Sequence, residues 1–167
     1  MLASPQGGMV RNGKRILLLG LGNDILSDDA VGLLITQAVR QRLAGFPQIE
    51  VHEIQEMGLS LLDYIADVDQ LVLIDAVQTG HAPPGFLHEF DGAQLGALPM
   101  RWPHSLGIGE ILALGKQLGL AVPEYVLVFG VEVLDPLTVS TDMTPALRDA
   151  LPGLVQQVIQ RLEGMLG

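Results

Sequence analysis

The sequence predicts a single α/β domain of three layers, with a mostly parallel, twisted sheet between helices. Three observations lead there. Short apolar runs recur at Ile16–Leu19, Leu71–Ile74 and Tyr125–Val131, as strands covered on both faces require. Segments with helical spacing lie between them, so successive strands are joined by crossovers, taken as right-handed. The chain has 167 residues, 49% of them hydrophobic, which is enough for one real core and too little for two domains.

The composition narrows the function. Formal net charge is -10, which argues against a nucleic-acid partner, because phosphate binding needs a basic patch. The chain contains no cysteine, so disulfides and thiolate metal sites are excluded. No apolar run is long enough to span a bilayer. Aromatics make up only 4%, so the core is expected to be Leu, Val, Ile and Ala. Met1–Lys14 lacks the apolar stretch of a signal peptide and reads as a flexible extension before a domain over 15–167. A cytoplasmic protein without membrane insertion is the expectation.

In order along the chain, Ile16–Leu19 form a strand that ends in the turn Gly20-Leu-Gly22. Asp28 and Asp29 then open a helix to about Leu43, Asp28 being the expected cap. Val31, Leu34, Ile35, Ala38 and Val39 give it one apolar stripe, and Gly45 and Pro47 stop it. Ile49–Ile54 alternate as an edge strand, and Gly58–Ala66 form a short helix. Leu71–Ile74 are the clearest strand, with Asp75 at its carboxyl end. After a loop over 79–85, Phe86–Phe90 read as a strand with Phe86, His88 and Phe90 on one face. Asp91–Pro103 read as a long loop, a place where function concentrates. Ser105–Leu118 form a helix and Tyr125–Val131 a buried strand, with Asp135-Pro136 a turn beyond it. Thr144 caps a last helix with Pro145 at its first position. That helix packs through Leu154, Val158 and Leu162, and Pro152 is expected to kink or restart it.

The chemistry gathers at the first turn. Gly20-Leu-Gly22 follows a strand and precedes a helix, but the third glycine of a dinucleotide fingerprint is replaced by Ile25, and no Walker lysine is present. Asp24, Asp28 and Asp29 crowd this turn; capping explains one of them, and a bound cation would relieve the repulsion among the rest. Asp75 ends a buried strand, where an uncompensated carboxylate is costly. Parallel strands present their carboxyl ends on one side, so Asp75 approaches the glycine turn. His104 precedes a helix, and a helix N-terminus keeps an imidazole neutral and available as a ligand. Asp29, Asp75 and His104 together offer two carboxylates and an imidazole, a set suited to a first-row divalent metal with open positions. His52, His81 and His88 read instead as surface histidines without acidic companions. Glu132 interrupts an apolar strand, either to support the site or because that edge is exposed.

The run Gly20-Leu-Gly-Asn-Asp-Ile-Leu-Ser-Asp-Asp-Ala-Val-Gly32 resembles the opening motif of nickel–iron hydrogenase maturation endopeptidases. The match continues through Leu73–Val77, Pro103–Gly107, Gly130–Glu132 and Met143–Pro145, so it covers the chain from about Arg15 to Leu166. The resemblance implies a five-stranded α/β domain and a protease acting on the immature hydrogenase large subunit. It would remove a C-terminal peptide once nickel is inserted. It also implies that Asp29, Asp75 and His104 are the metal ligands, with the two aspartates catalytic. Nickel would be carried by the substrate, other divalent ions would be accepted in vitro, and the enzyme would be a monomer. The pattern departs at Glu53–Glu56, where family members often carry Asp-Gly-Gly-Thr, and this bears on substrate subclass. The competing readings are a non-catalytic nickel chaperone of the same subunit and a nucleotide-binding module.

Overall fold

The structure, a computed structural model, describes residues 13–56, 58–94 and 107–167. Five strands, β1 (Ile16–Leu21), β2 (Ile49–Ile54), β3 (Gln70–Val77), β4 (Leu87–Asp91) and β5 (Tyr125–Glu132), form one sheet in the order β2-β1-β3-β5-β4. The first three pairings are parallel and β4 joins β5 antiparallel. The helices are α1 (Val31–Arg42), α2 (Leu61–Ile65), α3 (Ile108–Gln117) and α4 (Pro145–Met165). This is the three-layer, mostly parallel α/β domain predicted.

Strand alternation divides the core in two. Ile16, Leu18, Val72, Ile74, Leu127 and Phe129 face one way and pack with Ile35 and Val39 of α1 and Leu154, Val158 and Leu162 of α4. Leu17, Leu19, Leu71, Leu73 and Val128 face the other way, against Leu61 and Ile65 of α2 and Ile108 and Ile111 of α3. Both faces of the central strands are therefore buried, which is why their sequences are apolar without a break. β2 sits at an edge and is only half-buried, which matches its mixed composition.

Three expectations change. The turn at Asp28 is not an N-cap: Ser27–Ala30 form a short 3-10 turn, and α1 begins at Val31 without a side-chain cap. Asp75 does not terminate its strand, because β3 continues to Val77. Pro152 lies inside α4, which runs on through it without restarting. Thr144 and Pro145 hold the predicted positions at the start of α4.

Glycines set how closely α1 approaches the sheet. A Cβ on Gly32 would fall 2.3 Å from the carbonyl oxygen of Leu21 and 2.6 Å from that of Ile74. A Cβ on Gly22 would fall 2.4 Å from the carbonyl oxygen of Asp29. These obstructions are backbone atoms in the sheet and its turn, so they cannot rotate away. Gly32→Ala is expected to cost about 3 kcal/mol through overpacking. That corresponds to a fall in Tm of about 6–12 °C in a domain of this size. Thermal unfolding is the check, and an unchanged Tm would contradict so tight a contact.

Candidate active site

The site grows out of the β1 turn. Leaving Leu21, the chain passes through Gly22 into the segment Asn23–Ala30. Gly22 donates its N–H to the carbonyl of Ile54 at 3.3 Å, holding the turn against the end of β2. The divergent segment after β2 also touches it: Gln55 Oε1 accepts the Asp24 N–H at 3.5 Å. The β1–β3 ladder ends at the pair Gly20 and Ile74, whereas the β3–β5 ladder continues to Val77 and Glu132. Asp75 is therefore the first β3 residue beyond its pairing with β1, where the β1 chain has turned away into the acidic segment. The 3-10 turn packs on β3 at this point. Asp29 is 2% exposed and Asp75 is fully buried. The structure thus brings two of the predicted residues onto adjoining elements at the carboxyl edge of a parallel sheet, the usual place for a ligand site in this architecture.

His104, the third predicted ligand, lies outside the described residues. α3 begins four positions after it in the chain and packs on the sheet face that carries Leu71 and Leu73, the face alternation assigns to Asp75. Among the described residues no three His, Asp or Glu side chains converge as a metal-binding group. Asp29 and Asp75 would offer two carboxylates to a first-row divalent ion, and an imidazole would complete such a set.

Asp28 plays a different part from the one its sequence position suggests. Its fully buried carboxylate accepts the N–H groups of Leu134 at 3.1 Å and Asp135 at 2.8 Å on Oδ2. It also accepts the N–H of Thr144 at 2.8 Å on Oδ1, while the Thr144 hydroxyl lies 2.9 Å from both oxygens. Thr144 is the N-cap of α4. The negative charge therefore rests at the start of the last helix, where free N–H groups and the dipole favour it. Its own N–H donates to the Asp135 carbonyl at 3.0 Å. Asp28 clamps the acidic turn to the segment after β5 and so fixes Asp29 beside it.

The segment after β5 has its own lock, the predicted turn at Asp135-Pro136. The Thr138 hydroxyl and then the N–H groups of Thr138 and Leu137 hold the Asp135 carboxyl below the usual carboxylate range, with burial opposing weakly. A lowered value means that this contribution is complete above the ordinary carboxylate pKa. It is lost only as pH falls through the depressed one.

Glu132 and His88 are corrections. Glu132 is 3% exposed, so edge exposure does not explain it. Its carboxylate accepts the Thr79 N–H at 2.8 Å on Oε2 and the Thr79 hydroxyl on Oε1. His88 Nε2 lies 3.3 Å from Oε1, so this histidine does have an acidic companion at a strand end. Its ring sits between those of Phe86 and Phe90 on the predicted common face. These bonds anchor the chain leaving β3 just beyond Asp75. The signal in the sequence was the acid itself, at the end of an apolar strand. His52 likewise has an acid, Glu50, at 2.7 Å, although it sits on an edge strand away from the site. His81 is exposed.

Comparison with known proteins agrees with this fold. The family model for HycI, hydrogenase maturation protease, matches residues 33–161. The chain is 30% identical to the Hydrogenase 2 maturation protease of Escherichia coli (strain K12) over 157 residues, covering 89% of this chain and 95% of that protein. It is 26% identical to the hydrogenase expression/formation protein HupD of Thiocapsa roseopersicina, covering 92% of this chain and 70% of that protein. The solved structure of the hydrogenase maturating endopeptidase HybD from E. coli superimposes with a TM-score of 0.75 at 27% identity, covering 90% of this chain and 93% of that one. The [NiFe] hydrogenase maturation protease HybD from Thermococcus kodakarensis shares the fold, with a TM-score of 0.67 at 22% identity and coverage of 92% and 99%. The matching family spans most of the chain, and the sheet is the one those structures carry. The chain therefore belongs to the hydrogenase maturation protease family and is a peptidase.

Proposed function

We propose that the protein is the endopeptidase that removes a C-terminal peptide from the nickel-loaded precursor of a hydrogenase large subunit. The supporting observation is the pair of buried acids, Asp29 and Asp75, at the carboxyl edge of the sheet in a member of this family. Nickel belongs to the substrate. It is held by the Asp29 and Asp75 carboxylates with His104 as third ligand, and this contact both reports that the precursor is loaded and places the scissile bond. A water then attacks the scissile carbonyl, and one of the two carboxylates takes its proton and passes it to the leaving amine. A metal held there would lower the same barrier by polarising the carbonyl or the water. The reaction takes place on a soluble precursor in the cytoplasm, with the protease acting as a monomer. No described helix is long and apolar enough to cross a membrane.

The test incubates the protein with the large-subunit precursor of a hydrogenase from the same organism, with and without nickel, and follows the precursor by mass spectrometry. Loss of a C-terminal peptide from the nickel-loaded form alone is expected. A stable complex with no loss of mass would assign the protein as a nickel-dependent chaperone instead. Cleavage that ignores nickel would remove the recognition role of the acids.

A further inference from the structure

The two segments around the candidate site, 23–28 and 134–142, run side by side. Leu26 and Val139 form an antiparallel bridge. Ser27 donates its N–H to the Thr138 carbonyl at 3.0 Å, and Ser140 donates its N–H to the Ile25 carbonyl at 2.9 Å. The Ser27 hydroxyl donates to the Asp142 carbonyl at 3.0 Å. With the Asp28 clamp and the Asp135 turn, both segments are held in one arrangement before any partner arrives.

This fixed rim presents four large apolar side chains to solvent. Ile25 is 53% exposed, Leu134 58%, Leu137 74% and Val139 77%. Single exposed apolar side chains are ordinary, but four on two bonded segments that flank a buried acid pair mark an interaction site. The charge carried by these two segments has one sign. Asp24, Asp135 and Asp142 lie on these segments, and no Lys, Arg or His occurs from Ile16 to Val39 or from Tyr125 to Leu147. Apolar anchors bordered by charge of one sign fit a partner with apolar side chains and the opposite charge. Holding the rim in place beforehand reduces the ordering cost of binding.

We propose that Ile25, Leu134, Leu137 and Val139 form the docking surface for the precursor protein. They seat a segment of it that carries apolar side chains flanked by Lys or Arg. This rests on the functional reading above and adds the surface that selects the substrate, separate from the acids that act on it.

The test compares Leu137→Asp/Val139→Asp, Asp24→Lys/Asp142→Lys and a control, Leu118→Asp. Leu118 is 61% exposed at the end of α3. That end lies by the amino edge of the sheet, since nearby Ala121 accepts the Asp67 N–H just before β3. The first variant is expected to raise KM for nickel-loaded precursor by about 10-fold or more, with unchanged Tm. The charge reversal is expected to raise KM and to remove the dependence of KM on salt expected of the native protein. The control is expected to match the native protein. An unchanged KM in the first variant, or an equal rise in the control, would overturn the proposal. So would native self-association that the first variant abolishes at constant KM, since the rim would then seat a second copy. If the native protein binds precursor through the rim without cleaving it, the docking surface stands and the peptidase reading falls. Absence of both binding and cleavage overturns both.

Discussion

Asp75→Asn is expected to slow processing of nickel-loaded precursor by at least about 100-fold, the usual scale for losing a general acid or base, while the protein remains folded. Asparagine keeps the shape of the side chain in a fully buried position. It removes the negative charge, and with it the proposed metal ligand and proton acceptor. Asp75 stands where β3 has outrun its pairing with β1, so the substitution leaves the β1–β3 ladder intact. The measurement pairs Tm with single-turnover cleavage. A low rate with native Tm is the expected result, whereas a native rate would exclude a role for Asp75 in the reaction. Asp29→Asn should behave alike, and the double variant should lose little more than either alone, because groups that act as a unit are not additive.

The second large effect is on stability. Asp28→Ala is expected to destabilise the protein by about 3–5 kcal/mol, from the loss of several hydrogen bonds to one buried carboxylate. Its carboxylate accepts from three backbone N–H groups and the Thr144 hydroxyl. Truncation leaves those part-buried donors without their acceptor, and a donor kept from water costs about 1–3 kcal/mol before relaxation. The fall in Tm should be about 6–20 °C for a domain of this size. Cleavage should also fall at temperatures where the variant is folded, because the turn that carries Asp29 loses its attachment to α4. Asp28→Asn should recover part of the loss, since one oxygen still accepts, but its amide would face N–H donors. A variant as stable as the native protein would show that the clamp is dispensable.

Much of the fold is written locally. Leu71–Ile74 and Ile16–Leu19 are apolar without interruption because helices cover both faces of the strands they form, and that pattern is readable without neighbours. Pro145 marks the start of α4 because the fixed φ of proline is a local effect, whereas the Thr144 hydroxyl makes no cap and turns to Asp28 instead. The acids were legible in the same way: Asp29 and Asp75 were found from charge crowding at a glycine turn and from an acid after a buried strand. The divergence at Glu53–Glu56 was visible too, and the structure adds that Gln55 reaches the glycine turn.

What the sequence by itself determined is the element order, the apolar faces and the acids at the first turn and near the end of β3. These follow from periodicity and turn chemistry, which act over a few residues. Only the tertiary structure decided what those acids touch. Asp28 looked like the cap of the helix that follows it, yet it binds the start of a helix 116 residues later in the chain. His88, read as a surface residue, meets Glu132 across 44 positions. The physical reason is the same in both cases. A buried carboxylate must be satisfied by whatever donors the fold brings to it, and packing, not sequence spacing, chooses those donors.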